Sequence, residues 1–319
     1  MNLQTSDQRI LRGVPSTLSW QYEDENGVAA DPGVVTIGVT TADGTTVVGA
    51  GHATGGTSTA PRTLALPAIA TLELLTATWT TAGGAVFTTL INVVGGFYFS
   101  NAEARAFEPS LADPTKYPDA DIARVRREVE DEFEEIADAA YVPQYRRIRI
   151  DGSGTPDLVL SGNRLRIVRT IRTYSSATTY TSFTAGDLAD LSYDDDLTIH
   201  RPAGFIFDDV RRGNIVVEYE LGFDRPPSDL KRAMVRRLRS RLNQAKSDIP
   251  DRAERWQATQ QGTLYMLSKA TAYSTGINEI DAVYERYSKR AQKDGSPIPA
   301  SQSLIMNPQR FGVFHGARR

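Results

Sequence analysis

Residues 119–140 read DADIARVRREVEDEFEEIADAA and predict one long acidic helix. Apolar residues recur at three- and four-residue steps from Ile122 through Phe133 to Ala140, which places them on a single stripe of the helix. Six acids lie between Glu128 and Glu135. The segment therefore combines an apolar stripe with a strongly negative face.

A second helix of opposite charge is predicted for residues 226–246, PPSDLKRAMVRRLRSRLNQAK. It carries seven Lys or Arg against one acid, Asp229. Proline enters a helix readily at its first positions and Ser228 can cap it, so the start is well marked. Its apolar stripe repeats every four residues, from Leu230 to Leu242. Two helices of opposite sign suit side-by-side packing between copies of one chain.

The first 95 residues predict an all-β domain. They are rich in Thr, Val, Gly and Ala, and turn signals such as Asp43-Gly44 separate their strand-like runs. About six or seven short strands in this length suit an immunoglobulin-like sandwich. Trp20 and Trp79 are expected in its core, because aromatic side chains bury a large area.

A second β region is predicted for residues 145–223, where Arg alternates with Ile or Val at the two-residue period of a half-buried strand. The expected fold class is α+β and multidomain. We expect an immunoglobulin-like sandwich at 1–95, a helical-bundle module at 96–295 and an extended tail at 296–319. The module would have helices at about 119–140, 228–246 and 278–290, with a β insertion at about 145–223.

Composition narrows the function classes. The net charge of −3 gives no overall attraction to nucleic acid or membrane. The chain has no Cys, which excludes disulfides, thiolate catalysis and Cys-ligated metals. The first residues, MNLQTSDQRI, lack the apolar region of an export signal, and no apolar run approaches a membrane span. We therefore expect a soluble protein.

No residue pattern predicts catalysis, a metal site or a cofactor. His52, His200 and His315 are far apart in sequence, and a metal needs several converging donors. Asp194, Asp195 and Asp196 lack the glycine and distal glutamate of a calcium loop. No nucleophile elbow or phosphate loop is present. We therefore expect that this protein is not an enzyme.

Two hypotheses remain open for what the basic helix binds. Lys and Arg clusters neutralise phosphates, so residues 228–246 could bind DNA. They could instead match an acidic neighbour, which the absence of interleaved aromatic residues favours. A third, weaker hypothesis is that the β-sandwich binds carbohydrate, although no aromatic platform supports it. The choice between DNA and an acidic neighbour applies equally to a ladder of arginines in the second β region. The ladder consists of Arg164, Arg166, Arg169 and Arg172.

Four phrases carry a resemblance to a known family. They are YPDADIARVRREVEDEFEEI, YVPQYRRIRIDGSGTPDLVL, NIVVEYELGFDRPPSDLKRAMVRRLRSRL and TGINEIDAVYERY. Together they resemble the head-to-tail adaptor proteins (head completion or connector proteins) of tailed bacteriophages, especially long-tailed phages of actinobacteria. The resemblance covers roughly residues 97–290, and the N-terminal region looks like the accessory immunoglobulin-like domains of phage structural proteins.

The resemblance implies a structural role in the virion neck, after assembly in the host bacterial cytoplasm. Such adaptors form a ring of usually about twelve copies beneath the portal, around the DNA channel. The far side of the ring receives the next connector or tail-terminator ring. A C-terminal segment that clamps onto the portal makes Phe311, Phe314, Arg318 and Arg319 the portal-contact candidates.

The acidic and the basic helix supply the remaining candidate functional residues, which would lie either at subunit contacts or along the channel. A closed ring needs two complementary faces on each subunit, and opposite charges would favour assembly in register. An acidic face could instead line the lumen and keep DNA from adhering. The candidates are Glu128, Asp131, Glu132, Glu135, Arg232, Arg236 and Arg239.

Overall fold

The computed structural model describes residues 8–194, 197–209, 211–244, 253–259, 262–267 and 275–288. These residues form two compact units. The first is drawn from Met1–Phe97 and Ala140–Arg225, and the second from Tyr98–Ala139 and Pro226–Arg319. Each unit therefore combines segments that are distant in sequence.

Seven strands come first and form two sheets. Five pair in the order β1-β7-β6-β3-β4, and β2 pairs with β5. β1 runs parallel to β7, while β2–β5, β3–β4, β3–β6 and β6–β7 are antiparallel. The predicted strand runs are confirmed, whereas the immunoglobulin-like assignment stays a prediction. The strands are β1 (Gln8–Leu11), β2 (Ser16–Trp20), β3 (Val35–Thr41), β4 (Thr46–Ala53), β5 (Arg62–Leu66), β6 (Glu73–Thr81) and β7 (Val86–Val94).

One apolar core lies between these two sheets. Leu75, Ala77 and Trp79 are buried at alternate positions of β6, as the two-residue period of a strand requires. Leu18 of the second sheet joins the same core. The prediction for Trp79 is confirmed, and its Nε1 donates to Thr89 Oγ1 at 3.0 Å. Trp20 is only half-buried, because it stacks on the outer side of Trp79 with ring centroids 5.6 Å apart.

Helices and short strands alternate in the rest of the chain. The elements are α1 (Asn101–Phe107), a 3-10 turn (Pro109–Leu111), α2 (Asp119–Ala137), β8 (Gln144–Ile150), β9 (Asp157–Val159), β10 (Leu165–Tyr174), β11 (Tyr180–Ser182), α3 (Ala185–Ala189), β12 (Ser192–Tyr193), β13 (Thr198–His200), β14 (Ile215–Leu221), α4 (Ser228–Gln244), β15 (Ala253–Thr259), β16 (Gly262–Leu267) and α5 (Asn278–Arg286).

Two further sheets complete the first unit. One has four antiparallel strands in the order β11-β10-β14-β8, and the other has three in the order β12-β13-β9. They share an apolar core that includes Ile171, Val217 and Tyr219 from the four-stranded sheet. Leu158 and Ile199 enter it from the three-stranded sheet. One face of the four-stranded sheet is thereby covered.

Part of the opposite face contacts the N-terminal strands through charged groups. Arg169 donates to Glu220 at 2.9 and 2.5 Å and reaches Glu73 of β6 at 3.4 Å. Arg147 donates to the carbonyl of Ala42. Burial raises the pKa of the Glu73 carboxyl, despite the nearby Leu74 amide and Arg169. This contact, which we call the arginine seam, joins the two β regions within the first unit.

The second unit contains α1, α2, α4 and α5, which pack on one another. Phe133 of α2 and Tyr284 of α5 meet edge to face at 4.9 Å, and both are fully buried. Helix α1 begins with a capping box, in which Ser100 and Glu103 bond each other's backbone N–H groups. β15 and β16 form an antiparallel hairpin in the same unit.

The expected α+β fold with a helical-bundle module is wrong. Strands account for 34% of the residues and helices for 24%. The strands between 145 and 223 group with the N-terminal strands instead of forming an insertion in a helical module. The physical reason is that they bury one face on a three-stranded sheet of their own and part of the other against β6. The tail expected at 296–319 lies outside the described residues.

Helices α2, α4 and α5 begin where predicted, whereas α2 and α5 end earlier than predicted and the predicted end of α4 at 246 lies outside the described residues. α2 stops at Ala137 because Asp138 takes a left-handed conformation with φ of 46°. α5 ends at Arg286. Within the described part of the chain, no helix combines the length and apolarity needed to cross a membrane.

Candidate functional site

The acidic and basic helices meet inside one chain. Arg237 of α4 donates to Glu132 of α2 from Nε at 2.9 Å and from Nη2 at 2.8 Å. The two side chains are only 13% and 16% exposed. A bidentate arginine–carboxylate pair of this kind has fixed geometry and is stronger than a neutral hydrogen bond. The predicted contact residue Glu132 is therefore engaged within its own protomer.

Arg241 lies one turn beyond Arg237 and extends the pairing. Its Nη1 donates to Glu128 at 3.1 Å, and its Nη2 lies 3.3 Å from Glu132. Arg124 also donates to Glu128, at 2.8 Å along α2 itself. Residues four apart share one helix face, which explains why Arg237 and Arg241 both meet α2. We call the four residues Glu128, Glu132, Arg237 and Arg241 the helix-pair ion network.

Two more acids of the run are buried. Glu130 is 1% exposed and accepts a hydrogen bond from the Tyr98 backbone N–H at 3.0 Å. Glu134 is 6% exposed and accepts from the Tyr98 hydroxyl at 3.1 Å. Arg126 lies 3.9 Å from Glu130. Of the six acids that suggested a solvated or channel-lining face, two thus hold the chain segment before α1.

The other predicted contact residues lie nearer the surface. Glu135 is exposed and Asp131 is partly exposed on α2. Arg236 pairs with Glu279 at 2.5 Å, and Arg239 pairs with Glu108 at 3.2 Å. The guanidinium of Arg232 lies 5.7 Å from the ring centre of Phe107. The structure therefore brings Glu128 and Glu132 together, whereas the remaining five candidates are dispersed.

Two of the four phrases that carry the family resemblance, NIVVEYELGFDRPPSDLKRAMVRRLRSRL and TGINEIDAVYERY, meet in the second unit. Asp229, from the phrase that begins α4, accepts hydrogen bonds from Tyr287 Oη at 2.7 and 2.9 Å and pairs with Arg286 at 3.1 Å. Burial opposes ionisation of Asp229, but the Tyr287 bond and the Leu230 N–H hold its pKa below the usual value. Burial, together with the bond to Asp229, raises the pKa of Tyr287 to about 12.

The second phrase also organises its own start. Asp281 of α5 accepts from the Thr275 backbone N–H and from Thr275 Oγ1, both at 2.7 Å, and from the Gly276 N–H at 3.2 Å. A carboxylate that caps backbone N–H groups fixes the path of the chain into the helix. The conspicuous polar residues of both phrases therefore fix the local path and packing of helices α4 and α5. Residue spacing alone did not reveal this role.

The arginine ladder is engaged within the chain as well. Arg166 pairs with Asp224 at 2.7 Å, and Arg169 belongs to the arginine seam. Arg172 lies 3.5 Å from Glu218. The guanidinium of Arg164 lies 5.1 Å from the ring centre of Phe223. Sequence reasoning missed these partners, because every one of them is at least 46 residues away or on another strand.

Of the remaining candidate residues, some have partners within the chain and others lie outside the described residues. His200 lies between two carboxylates, with Nδ1 2.7 Å from Asp157 and Nε2 2.9 Å from Asp194. Among the described residues, no group of three side chains could hold a metal ion. The portal-contact candidates Phe311, Phe314, Arg318 and Arg319, and also His315, lie outside the described residues.

No protein-family model matches the chain, and a comparison with curated proteins gives no match. Among solved structures, the chain is similar to a chain in the neck of an empty gene transfer agent particle computed with C6 symmetry, with 14% identity, a TM-score of 0.38, and coverage of 58% of this chain and 88% of that one.

Two further similar chains come from native particles. The first, in the neck computed with C12 symmetry, has 15% identity, a TM-score of 0.35, and coverage of 53% and 90%. The second, in the virion of the native gene transfer agent particle, has 15% identity, a TM-score of 0.38, and coverage of 52% and 84%. TM-scores of this size do not establish that two chains share a fold.

Proposed function

We propose that this chain is a structural protein of the head–tail junction of a phage-like particle, without catalytic activity. In the proposal, copies form a ring of about twelve subunits beneath the portal, around the DNA channel. The observation that carries it is the contact of Asp229 with Arg286 and Tyr287. Two of the four sequence phrases behind the adaptor resemblance thus contact each other directly, as expected if both belong to one inherited structural module.

The charge pattern supports a structural role over the DNA-binding alternative. The arginines of the helix-pair ion network, Arg237 and Arg241, are directed to Glu128 and Glu132. An arginine that leaves a largely buried carboxylate in order to reach a phosphate leaves that carboxylate without its partner, which is costly. Arg237 and Arg241 are therefore poorly suited to neutralising the DNA backbone, and in the proposal DNA passes through the ring without sequence-specific contacts.

The proposed partners are the portal on one side and the next connector or tail-terminator ring on the other. The tail residues Phe311, Phe314, Arg318 and Arg319 contact the portal in this proposal. Aromatic and arginine side chains supply much of the binding energy at protein interfaces, which suits an anchor of this composition. The protein would be assembled in the host cytoplasm and reside in the virion neck.

Mass photometry of the full chain mixed with purified portal rings tests the proposal. We expect a complex whose mass corresponds to one portal ring plus a ring of this chain. A chain that ends at residue 300 should remain folded by circular dichroism and lose the complex. Portal binding that survives this truncation would contradict the anchoring role, and a full chain that never binds portal rings would contradict the proposed function.

A gel-shift assay with duplex DNA at several salt concentrations tests the alternative. We expect no retarded complex at physiological salt. A salt-sensitive shift that disappears when Arg236, Arg237, Arg239 and Arg241 are neutralised would favour the DNA-binding module instead.

A further inference from the structure

An aromatic cluster lies at one end of the N-terminal strands, on their surface. Trp20 packs against Phe87 at 5.0 Å and Tyr22 at 5.9 Å between ring centres, and Phe87 is 36% exposed. Val28, in the loop that leaves Tyr22, is 59% exposed. The rings are inclined to each other by 39° to 74°, so they form no flat platform for a sugar ring. Exposed aromatic clusters of this kind mark protein interfaces.

The loop beside this cluster is acidic and well ordered. Asp24 Oδ1 accepts from the backbone N–H groups of Asn26 and Val28, both at 2.9 Å, and the Ala30 N–H bonds the Tyr22 carbonyl at 3.0 Å. Such a preformed loop loses little conformational entropy when it binds. We call the surface formed by Trp20, Tyr22, Val28, Phe87, Glu23 and Glu25 the acidic aromatic patch.

The two glutamates of this patch are exposed, and neither has an ion pair with another residue that the structure describes. A partner would therefore have to present apolar groups surrounded by positive charge. The same patch of a second copy is unsuitable, because it would place like charges opposite each other.

A surface of the required character lies on the four-stranded sheet. Tyr174 and Tyr180 pack at 5.1 Å, the guanidinium of Arg149 lies 4.8 Å above Tyr174, and that of Arg172 lies 5.5 Å above Tyr180. Arg149 also bonds the carbonyl of Gly213, which follows the exposed Arg212. We call Arg149, Arg172, Tyr174, Tyr180 and Arg212 the cationic aromatic patch.

This second patch has the exposure that an interface needs. Tyr180 is 49% exposed, and Arg149 and Arg212 are exposed and have no ion pair within the described residues. Arginine held over tyrosine rings is preorganised and enriched at protein interfaces. The two patches thus match in both apolar and charged character.

The two patches lie at opposite ends of β6 and cannot meet within one chain. Glu73, the first residue of β6, contacts Arg169 of β10, the strand that also carries Arg172 and Tyr174 of the cationic aromatic patch. Trp79, near the other end of β6, stacks on Trp20 of the acidic aromatic patch. The six residue steps from Glu73 to Trp79 span roughly 20 Å along the strand, so contact between the patches requires two molecules.

We infer that the acidic aromatic patch of one subunit binds the cationic aromatic patch of its neighbour, and that this contact closes the ring. The inference rests on the proposed ring function and identifies its subunit interface. Because two different surfaces meet, the contact is head-to-tail, the type that generates closed rings. The aromatic side chains supply most of the affinity, and the charges select the partner and fix the register.

Complementary charge reversal in the full chain tests this inference by mass photometry, with and without purified portal rings. We expect the E23R/E25R variant and the R149E/R212E variant each to raise the concentration for half-assembly by about tenfold or more. Equimolar mixing should restore assembly, because each interface in an alternating ring is then again a pair of opposite charges. Val28→Ser should weaken assembly, because it removes apolar contact without changing the charge of the patch.

Two single reversals serve as comparisons. Asp190→Arg, at an exposed position outside both patches, should leave assembly unchanged. If Glu135→Arg on α2 blocks assembly while the patch variants assemble normally, the contact lies on the acidic helix and the inference is overturned. Wild-type chains that form no ring under either condition would instead overturn the ring function itself. Circular dichroism of every variant separates loss of contact from loss of fold.

Discussion

Arg237 and Glu132 form a bidentate ion pair, at 2.9 and 2.8 Å, between the basic and the acidic helix of the same chain. The pair shows that the most conspicuous charges in the sequence, on the acidic and the basic helix, bind each other within one chain. Opposite signs on two helices suggest attraction between neighbouring copies, but much of that attraction is used within each protomer. What remains available to a neighbour must come from other surfaces.

Removing one partner of this pair should destabilise the protein substantially. Arg237→Ala leaves Glu132 in a poorly solvated site with Arg241 as its remaining arginine partner among the described residues, and we expect a loss of about 2–4 kcal/mol in the free energy of unfolding. Urea denaturation measures the loss. The matched control is Arg236→Ala, whose pair with Glu279 is 62% and 77% exposed and should cost less than about 1 kcal/mol. Equal losses in the two variants would contradict this assignment.

Gly222 should tolerate no side chain. Its φ is +102°, and a Cβ atom there would lie 2.2 Å from the carbonyl oxygen of Val142. We expect Gly222→Ala to cost more than about 3 kcal/mol by urea denaturation, because backbone strain and a steric clash add. Gly204 has a similar φ of +91° with no atom within 4 Å, so Gly204→Ala isolates the strain and should cost about 1 kcal/mol.

Tyr284 should be replaceable by phenylalanine without loss. Its hydroxyl is buried and has no hydrogen-bond partner among the described residues, and burial raises its pKa well above the usual value. Removing an unsatisfied buried hydroxyl relieves a desolvation cost, so Tyr284→Phe should leave stability unchanged or raise it by up to about 1 kcal/mol. Tyr98→Phe is the contrasting variant, since its hydroxyl donates to Glu134. We expect Tyr98→Phe to lower the thermal midpoint, and the reverse order would contradict both assignments.

His200 should make stability depend on pH. Hydrogen bonds to Asp157 and then to Asp194 raise the pKa of its ring, because both nitrogens can donate only when the ring is protonated. A raised folded pKa gives stability that is fully present below the unfolded value of about 6.5 and is lost as pH rises through the folded value. The stability difference between wild type and His200→Gln should therefore shrink from about pH 6 to about pH 8.

Urea denaturation at several pH values measures this trend. The control repeats the comparison in an Asp157→Asn background, where the pH dependence should be reduced because one carboxylate no longer favours the protonated ring. A wild-type-to-variant difference that stays constant between these pH values would rule out the clamped imidazolium.

The sequence predicted local elements better than their partners. The apolar stripes that include Ile122 and Leu230 correctly indicated α2 and α4, because helical period depends on neighbours three and four residues away. The end at Asp138 was missed, since a left-handed aspartate has no distinctive local pattern. The fold class failed because the strands at 145–223 find their covering surfaces at Glu73 and Ala42, and single-sequence periodicity does not report contacts over such separations.

The candidate site was anticipated in sign but not in connectivity. The sequence indicated that Glu132 would pair with a positive side chain, and that arginines of α4 would pair with negative ones. It did not indicate that Arg237 of the same molecule satisfies Glu132, because charge patterns do not distinguish intramolecular from intermolecular pairing. The acidic aromatic patch was missed for a related reason, since Trp20, Tyr22 and Phe87 converge only once β2 and β7 are placed in their sheets.

The parallel pairing of β1 with β7 has a mechanical consequence. Traction applied at Gln8 and at the chain beyond Val94 pulls the two strands along their length in opposite directions. All four residue pairs from Gln8–Ile91 to Leu11–Val94 then bear the load together in shear, instead of opening one after another like a zipper. The N-terminal strands are thus arranged to resist extension along their length.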